Sequence, residues 1–207
     1  MQIHLYLEPK SLKMNCLKSL IAKHIQGRKV FIFFVLTNLV YAFMLVVTIP
    51  MTMAYGHGIK LLDMMPAGYN LKEVTDLFTA LGAEGRHAYL FYQIPVDMVY
   101  PLLFAIGYCL VIAFFLNKLG KLRSPYFFLA LLPLVSGAAD YMENIGFITL
   151  LNQYPDINPT LVKISSVFSV IKSSTTSIYF ISLIVVLIAW LIQVLSKKKA
   201  KKILPEV

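Results

Sequence analysis

PYFFLALLPLVSGAADYMENIGFITLL, residues 125–151, is apolar along most of its length yet holds two carboxylates, Asp140 and Glu143. Roughly 20 predominantly apolar residues suffice to cross a bilayer as a helix, and this run meets that length. An ionisable group inside such a span is costly, so it marks a functional site by default. Three further runs have the same character: residues 30–54, 88–116, which holds Asp97, and 160–194, which holds Lys172. The fold expected is all-α: a polytopic membrane protein with four transmembrane helices in an antiparallel bundle. Composition agrees, at 58% hydrophobic and a mean hydropathy of +0.73. Residues 30–54 follow a basic leader as a signal peptide would, but a secretory apolar region is only about 7–15 residues long and precedes a small-residue cleavage site. This run is therefore read as a retained span. Pro50, Pro95, Pro101, Pro125, Pro133, Pro155 and Pro159 mark or bend the span ends, as proline does where neighbours satisfy the freed carbonyls.

The net charge of +9 is placed like a topology signal. Lys10, Lys13, Lys18, Lys23, Arg28 and Lys29 precede the first span; Lys118, Lys121 and Arg123 join the second and third; Lys197, Lys198, Lys199, Lys201 and Lys202 follow the fourth. By the positive-inside rule these segments are cytoplasmic, which puts both termini inside a multi-pass cell-membrane protein. The segments between Tyr55 and His87 and between Asn152 and Pro159 then lie outside. The partner implied is the lipid bilayer, loosely through its anionic lipids, with no nucleic acid. Cys16 and Cys109 build no disulfide framework, and without a CxxC pair a quinone-linked thiol oxidoreductase of the four-helix kind is not expected.

Residues 1–29 read as a basic leader, 30–194 as the membrane domain and 195–207 as a basic tail. Leu12, Leu17, Leu20, Ile21 and Ile25 alternate with lysines, a pattern for a short interfacial helix over Lys10 to Ile25. Met14 offers an alternative start that would leave residues 1–13 untranslated. In the first outer loop Asn70 is placed to cap a helix whose Leu71, Val74, Leu77, Phe78 and Leu81 recur at helical spacing, with Gly82 and Gly85 ending the pattern. This short amphipathic helix is expected on the outer membrane surface or across the bundle mouth, as a lid or as a packed connector.

Each span carries one polar stripe: Gln93, Asp97, Tyr100 and Phe104 on the second; Ser136, Asp140, Glu143 and Asn144 on the third; Ser165, Ser169, Lys172 and Thr176 on the fourth; Asn38, Tyr41, Thr48 and Thr52 on the first. Residues three and four apart share a helix face, and polar groups avoid lipid tails. The four stripes should line one cavity in the outer half of the bundle. Three acids sharing Lys172 cannot all be neutralised by it, so at least one is expected to be protonated, hydrated, or paired with a bound cation or with Arg86. Gln93, Tyr100, Asn144 and Arg86 complete the candidate set, Arg86 standing with Tyr89 at the mouth of the second span, where snorkelling explains it equally well. No metal and no cofactor is expected. HExxH, a Gly-rich phosphate loop, GxSxG and a span histidine for haem are all missing from the chain. Ser136-Gly137 reads as close helix packing.

Gly82 to Tyr89 (GAEGRHAY), Asp97 to Pro101 (DMVYP) and Asp140 to Asn144 (DYMEN) resemble a group of uncharacterised bacterial four-helix integral membrane proteins. The chain is more remotely similar to the four-helix EXPERA-type fold of the sterol isomerase and sigma-2 receptor group. That likeness implies Asp97, Asp140 and Glu143 arranged around an amine or a carbocation-like sterol. The function expected is an acidic cavity that binds a small cationic or amphipathic ligand or handles protons. The alternatives are a membrane enzyme using Asp97 or Glu143 as general acid/base on a lipid-soluble substrate, and a structural or accessory subunit. Ligand identity and oligomeric state are left open by these residues.

Overall fold

A computed structural model describes residues 18–123 and 125–203. Among them every regular element is helical. Residues 18–24 form a short helix; the rest of the expected leader helix, with Met14 and Cys16, lies outside the described residues.

Helix α1, Gly27–Tyr55, is continuous and includes a wider π-helical turn, Met44–Thr48. Helix α2, Leu71–Ala88, runs through a second π-helical turn, Tyr89–Gln93, into α3, Ile94–Lys118. Helix α4, Leu132–Gln153, follows a 3-10 segment, Tyr126–Leu131, and α5, Pro159–Ile203, is the longest. Three stretches, Gly27–Tyr55, Leu71–Lys118 and Pro159–Lys199, are long and apolar enough to cross a membrane. Their outward faces carry large exposed apolar side chains, Phe31, Leu39 and Val46 on α1 and Ile181, Ile184 and Val185 on α5, a surface suited to lipid rather than water.

The two π-helical turns have one cause. Each directly precedes a helix whose second residue is proline, Pro50 in one case and Pro95 in the other. Proline donates no N–H and its ring crowds the carbonyl four residues back. One extra residue in the preceding turn relieves that crowding, and such bulges often fall at functional sites. Here the two turns pack on each other, joined by a hydrogen bond from the Thr48 hydroxyl to the Gln93 carboxamide oxygen.

The segment after α1 departs from the expectation of a separate outer helix. Asn70 does cap α2: its Oδ1 accepts from the Glu73 N–H at 3.0 Å, and Glu73 Oε2 accepts from the Asn70 N–H at 2.8 Å. The amphipathic turns bury Val74, Leu77, Phe78 and Leu81 against the last turns of α1 and against α5, the placement of a packed connector. Gly82 breaks the helix at φ 63°, ψ −173°, a region essentially reserved for glycine. Gly85 does not end anything. It lies inside the resumed helix, where an added Cβ would come within 2.6 Å of the Tyr55 Cβ. The helix expected to start at Ala88 therefore begins earlier, and α5 continues beyond residue 194 through the lysine tail to Ile203.

Helix α4 packs between α3 and α5, and α1 packs on α3. At Gly137 an added Cβ would lie 2.8 Å from the Pro101 carbonyl oxygen, so Ser136-Gly137 is a site of close backbone approach between α4 and α3. Between α1 and α5 no comparable packing occurs, and the side chains flanking that gap frame the site described next.

Candidate functional site

Three of the sequence-predicted residues form one ionic group. Asp140 and Glu143 are one turn apart on α4, and Lys172 enters from α5 between them. Its Nζ lies 3.2 Å from Asp140 Oδ1 and also contacts Glu143 Oε2. Glu143 is fully buried, Asp140 is 6% exposed, and the lysine side chain is 15% exposed. Ion pairs this deep return their desolvation cost only when the remaining polar atoms are also satisfied. Those of Glu143 are not: neither carboxylate oxygen is hydrogen-bonded in good geometry.

Asp97 faces this group from α3. It is 4% exposed and, among the described residues, its carboxylate takes part in no ion pair or side-chain hydrogen bond. Asn144 holds the backbone behind it, donating from Nδ2 to the Asp97 carbonyl at 3.1 Å, so this side chain fixes the α3–α4 spacing rather than facing the cavity. Gln93 is fully buried and donates from Nε2 to Asp63 Oδ2 at 3.4 Å.

Asp63 is a fourth carboxylate that the stripe argument did not reach. It sits on a short 3-10 turn, Leu62–Met64, in the segment joining α1 to α2, which folds back over the helix ends. Leu61 and Leu62 are fully buried there. The segment is tied to α5 at three points: the Tyr69 N–H donates to Ser166 Oγ at 2.9 Å, the Tyr69 hydroxyl to Ser165 Oγ at 2.9 Å, and the Ser169 hydroxyl to the Met65 carbonyl at 3.2 Å. Asp63 Oδ1 is shut away without a partner, as are the Tyr89 hydroxyl and Asn144 Oδ1. The signal in the sequence was one acid inside Leu61-Leu62-Asp63-Met64-Met65, an apolar run within an otherwise polar connection.

Burial pushes the Asp63 carboxyl above its ordinary value of 3.8, reinforced by Asp140 and opposed by Lys172. An acid whose folded value is raised holds its proton more tightly when folded, so its contribution is complete below the unfolded value and is lost as pH rises from about 4 through the folded value. Asp63→Asn keeps the shape and removes the charge. Its melting temperature should fall less than that of the unaltered protein as pH is raised from 4 to 8 in a thermal unfolding series, and parallel curves would sink this reading.

These groups surround a cavity of about 450 Å³. Asp97 and Tyr100 of α3, Asp140 and Ser136 of α4, Lys172 of α5, and Asp63 on the roof supply its polar wall. Four acids border or adjoin it against one lysine, leaving an excess of negative charge. Its lips are Tyr41 and Leu45 on α1 and Ser173 and Ser177 on α5. Tyr41 and Leu45 are 43% and 45% exposed, so the cavity opens sideways through the gap between these two helices. Its far end is closed by aromatics. Phe104 packs on Tyr108 with centroids 4.8 Å apart, Tyr179 stands edge-on to Tyr108 at 5.7 Å, and the Tyr179 hydroxyl donates to the Tyr108 carbonyl at 2.8 Å.

Arg86 stands apart from the cavity. Its Nη1 donates to the Phe78 carbonyl at 2.7 Å, and its guanidinium lies 4.1 Å from the centre of the Tyr154 ring. The pairing with buried acids offered as one option for Arg86 is not what the fold provides, because its guanidinium is engaged by the Phe78 carbonyl and the Tyr154 ring. Among the described residues no cluster of histidine, cysteine and carboxylate groups is shaped to hold a metal ion. Comparison of the chain with protein-family models, with curated proteins and with solved structures finds no match.

Proposed function

We propose that this chain crosses the membrane four times as an antiparallel bundle with both termini cytoplasmic, and that its lateral cavity binds an amphipathic organic cation drawn from the bilayer. Helix α4, at 22 residues and about 33 Å, is long enough to be the fourth crossing. Its apolarity is reduced by the side chains it turns towards α3, α5 and the cavity. The observation that carries the functional reading is the charge imbalance around an opening directed at lipid. An ammonium group would sit among Asp63, Asp97 and Asp140, with its hydrocarbon chain leaving between Tyr41 and Ser177. In the empty site protons take the place of the ligand's charge, since unpaired buried carboxylates are too costly to retain.

The aromatic floor weighs against a transport route, because a pathway across the bilayer needs polar lining on both sides of its midpoint. It also weighs against reading the acids as mere packing, since a packing role leaves acids collapsed on their partners while Asp97 has none. The remote resemblance to the sterol isomerase and sigma-2 receptor group would imply the same ligand chemistry. One observation favours acid/base chemistry on a lipid-soluble substrate as a second reading: Asp97 faces open space and is free to exchange a proton with whatever enters.

The test is the double amide Asp97→Asn with Asp140→Asn, which preserves shape, titrated with dodecylamine in detergent solution. A charge-assisted hydrogen bond contributes about 1.5–3 kcal/mol, so affinity should fall by at least about tenfold. Binding that releases protons in the unaltered protein and not in the double amide separates ion exchange from simple partitioning. Unchanged affinity in the double amide would remove the acids from the binding account.

A further inference from the structure

We propose a second binding site, for one anionic phospholipid, at the opposite end of the bundle from the acids. The inference rests on the membrane-spanning reading but not on the acidic cavity. A slot of about 350 Å³ is bordered by residues 18–24, the start of α1, α3 and α4. Ile21, Phe33, Ile106, Cys109 and Leu110 wall it, and among the described residues its only polar or charged side chains are His24 and Lys29. A histidine and a lysine can both donate to a phosphate oxygen, and the walls present only hydrocarbon and one thiol. Ile21 is 6% exposed and Cys109 4%, so the slot has a packed floor and is not merely a groove between mobile side chains.

Charge complementarity selects the occupant. Lys18, Lys23 and Arg28 lie close in sequence to His24 and Lys29, and Lys118 ends α3 with Lys121 and Arg123 just beyond it. Residues 18–62 and 98–139 contain no aspartate or glutamate, so no neighbouring acid on these segments competes for His24 and Lys29. A soluble phosphate would meet the cations and leave the apolar slot uncovered. A zwitterionic lipid would fill the slot while bringing its own cation against Lys29. An anionic phospholipid satisfies both, with one acyl chain in the slot and its phosphate between His24 and Lys29.

Native mass spectrometry of the detergent-solubilised chain, with phosphatidylglycerol and phosphatidylcholine of identical acyl chains offered in equal amounts, tests this. One phosphatidylglycerol should be retained in preference to phosphatidylcholine. Removing the lysine charge near anionic lipid, together with the histidine donor, in His24→Gln with Lys29→Gln should reduce that preference by about fivefold or more. Leu20→Trp, at the exposed edge of the slot, should lower retention of both lipids while leaving His24 and Lys29 intact. Soluble glycerol phosphate should not compete. Equal retention of the two lipids by the unaltered protein, a preference that survives the double variant, or displacement by glycerol phosphate would each overturn the proposal.

Discussion

Lys172→Met is expected to destabilise the fold by about 3–5 kcal/mol at neutral pH, the range for removing one partner of a buried ion pair. The methionine fills a similar volume, so the loss is electrostatic. Asp140 and Glu143, 6% and 0% exposed, would keep their burial and lose the ammonium that sits between them. Acidification should restore most of the loss, because a protonated carboxyl needs no counter-ion and can donate to its neighbour. Adding Glu143→Gln to Lys172→Met should recover part of it at neutral pH for the same reason. Denaturant or thermal unfolding in detergent at two pH values measures all three effects. A loss below about 1 kcal/mol, the scale of a solvated surface pair, would mean that water reaches this group freely.

The second large effect belongs to the contact that brings α4 and α5 together one turn from that ionic group. At Gly146 an added Cβ would fall 2.2 Å from Ser165 Oγ and 2.8 Å from its Cβ, distances that force the helices apart. Gly146→Ala should cost about 1–3 kcal/mol, as overpacking of a close contact does. It should also disturb the roof, because Ser165 receives the Tyr69 hydroxyl and itself donates to the Glu143 carbonyl at 3.3 Å. The reciprocal swap Gly146→Ala with Ser165→Gly returns the space and should recover most of the packing loss. It would still lack the Tyr69 bond. Equal unfolding midpoints for Gly146→Ala and the unaltered protein would place the helices further apart than described.

The apolar runs made the long helices legible, because length and hydropathy are local properties. The Asn70 cap was legible for the same reason: its Glu73 partner lies three residues away. Helical periodicity was also enough to put Asp97, Asp140, Glu143 and Lys172 on the polar faces of their helices, which the fold brings together. Asp63 escaped that argument because it belongs to no span. Its position depends on Tyr69 reaching Ser165 and Ser166, and Ser169 reaching Met65, contacts spanning about a hundred residues of chain. Arg86 turns to the Phe78 carbonyl and the Tyr154 ring, contacts that periodicity within one helix does not reveal. The proline positions announced a disturbance in α1 and before α3, but not that it would take the form of two π-helical turns meeting through Thr48 and Gln93.

The claim that the excess of acid serves a cationic amphiphile is met most directly by comparing two ligands that differ only in charge. Dodecylamine and 1-dodecanol share a hydrocarbon chain and differ in the head group that would reach Asp97. Isothermal titration of the detergent-solubilised protein with each, at pH 7, should show saturable binding of the amine, at least about tenfold weaker binding of the alcohol, and an amine affinity that falls towards that of the alcohol in Asp97→Asn. Equal binding of amine and alcohol, or an amine affinity untouched by Asp97→Asn, would contradict the account.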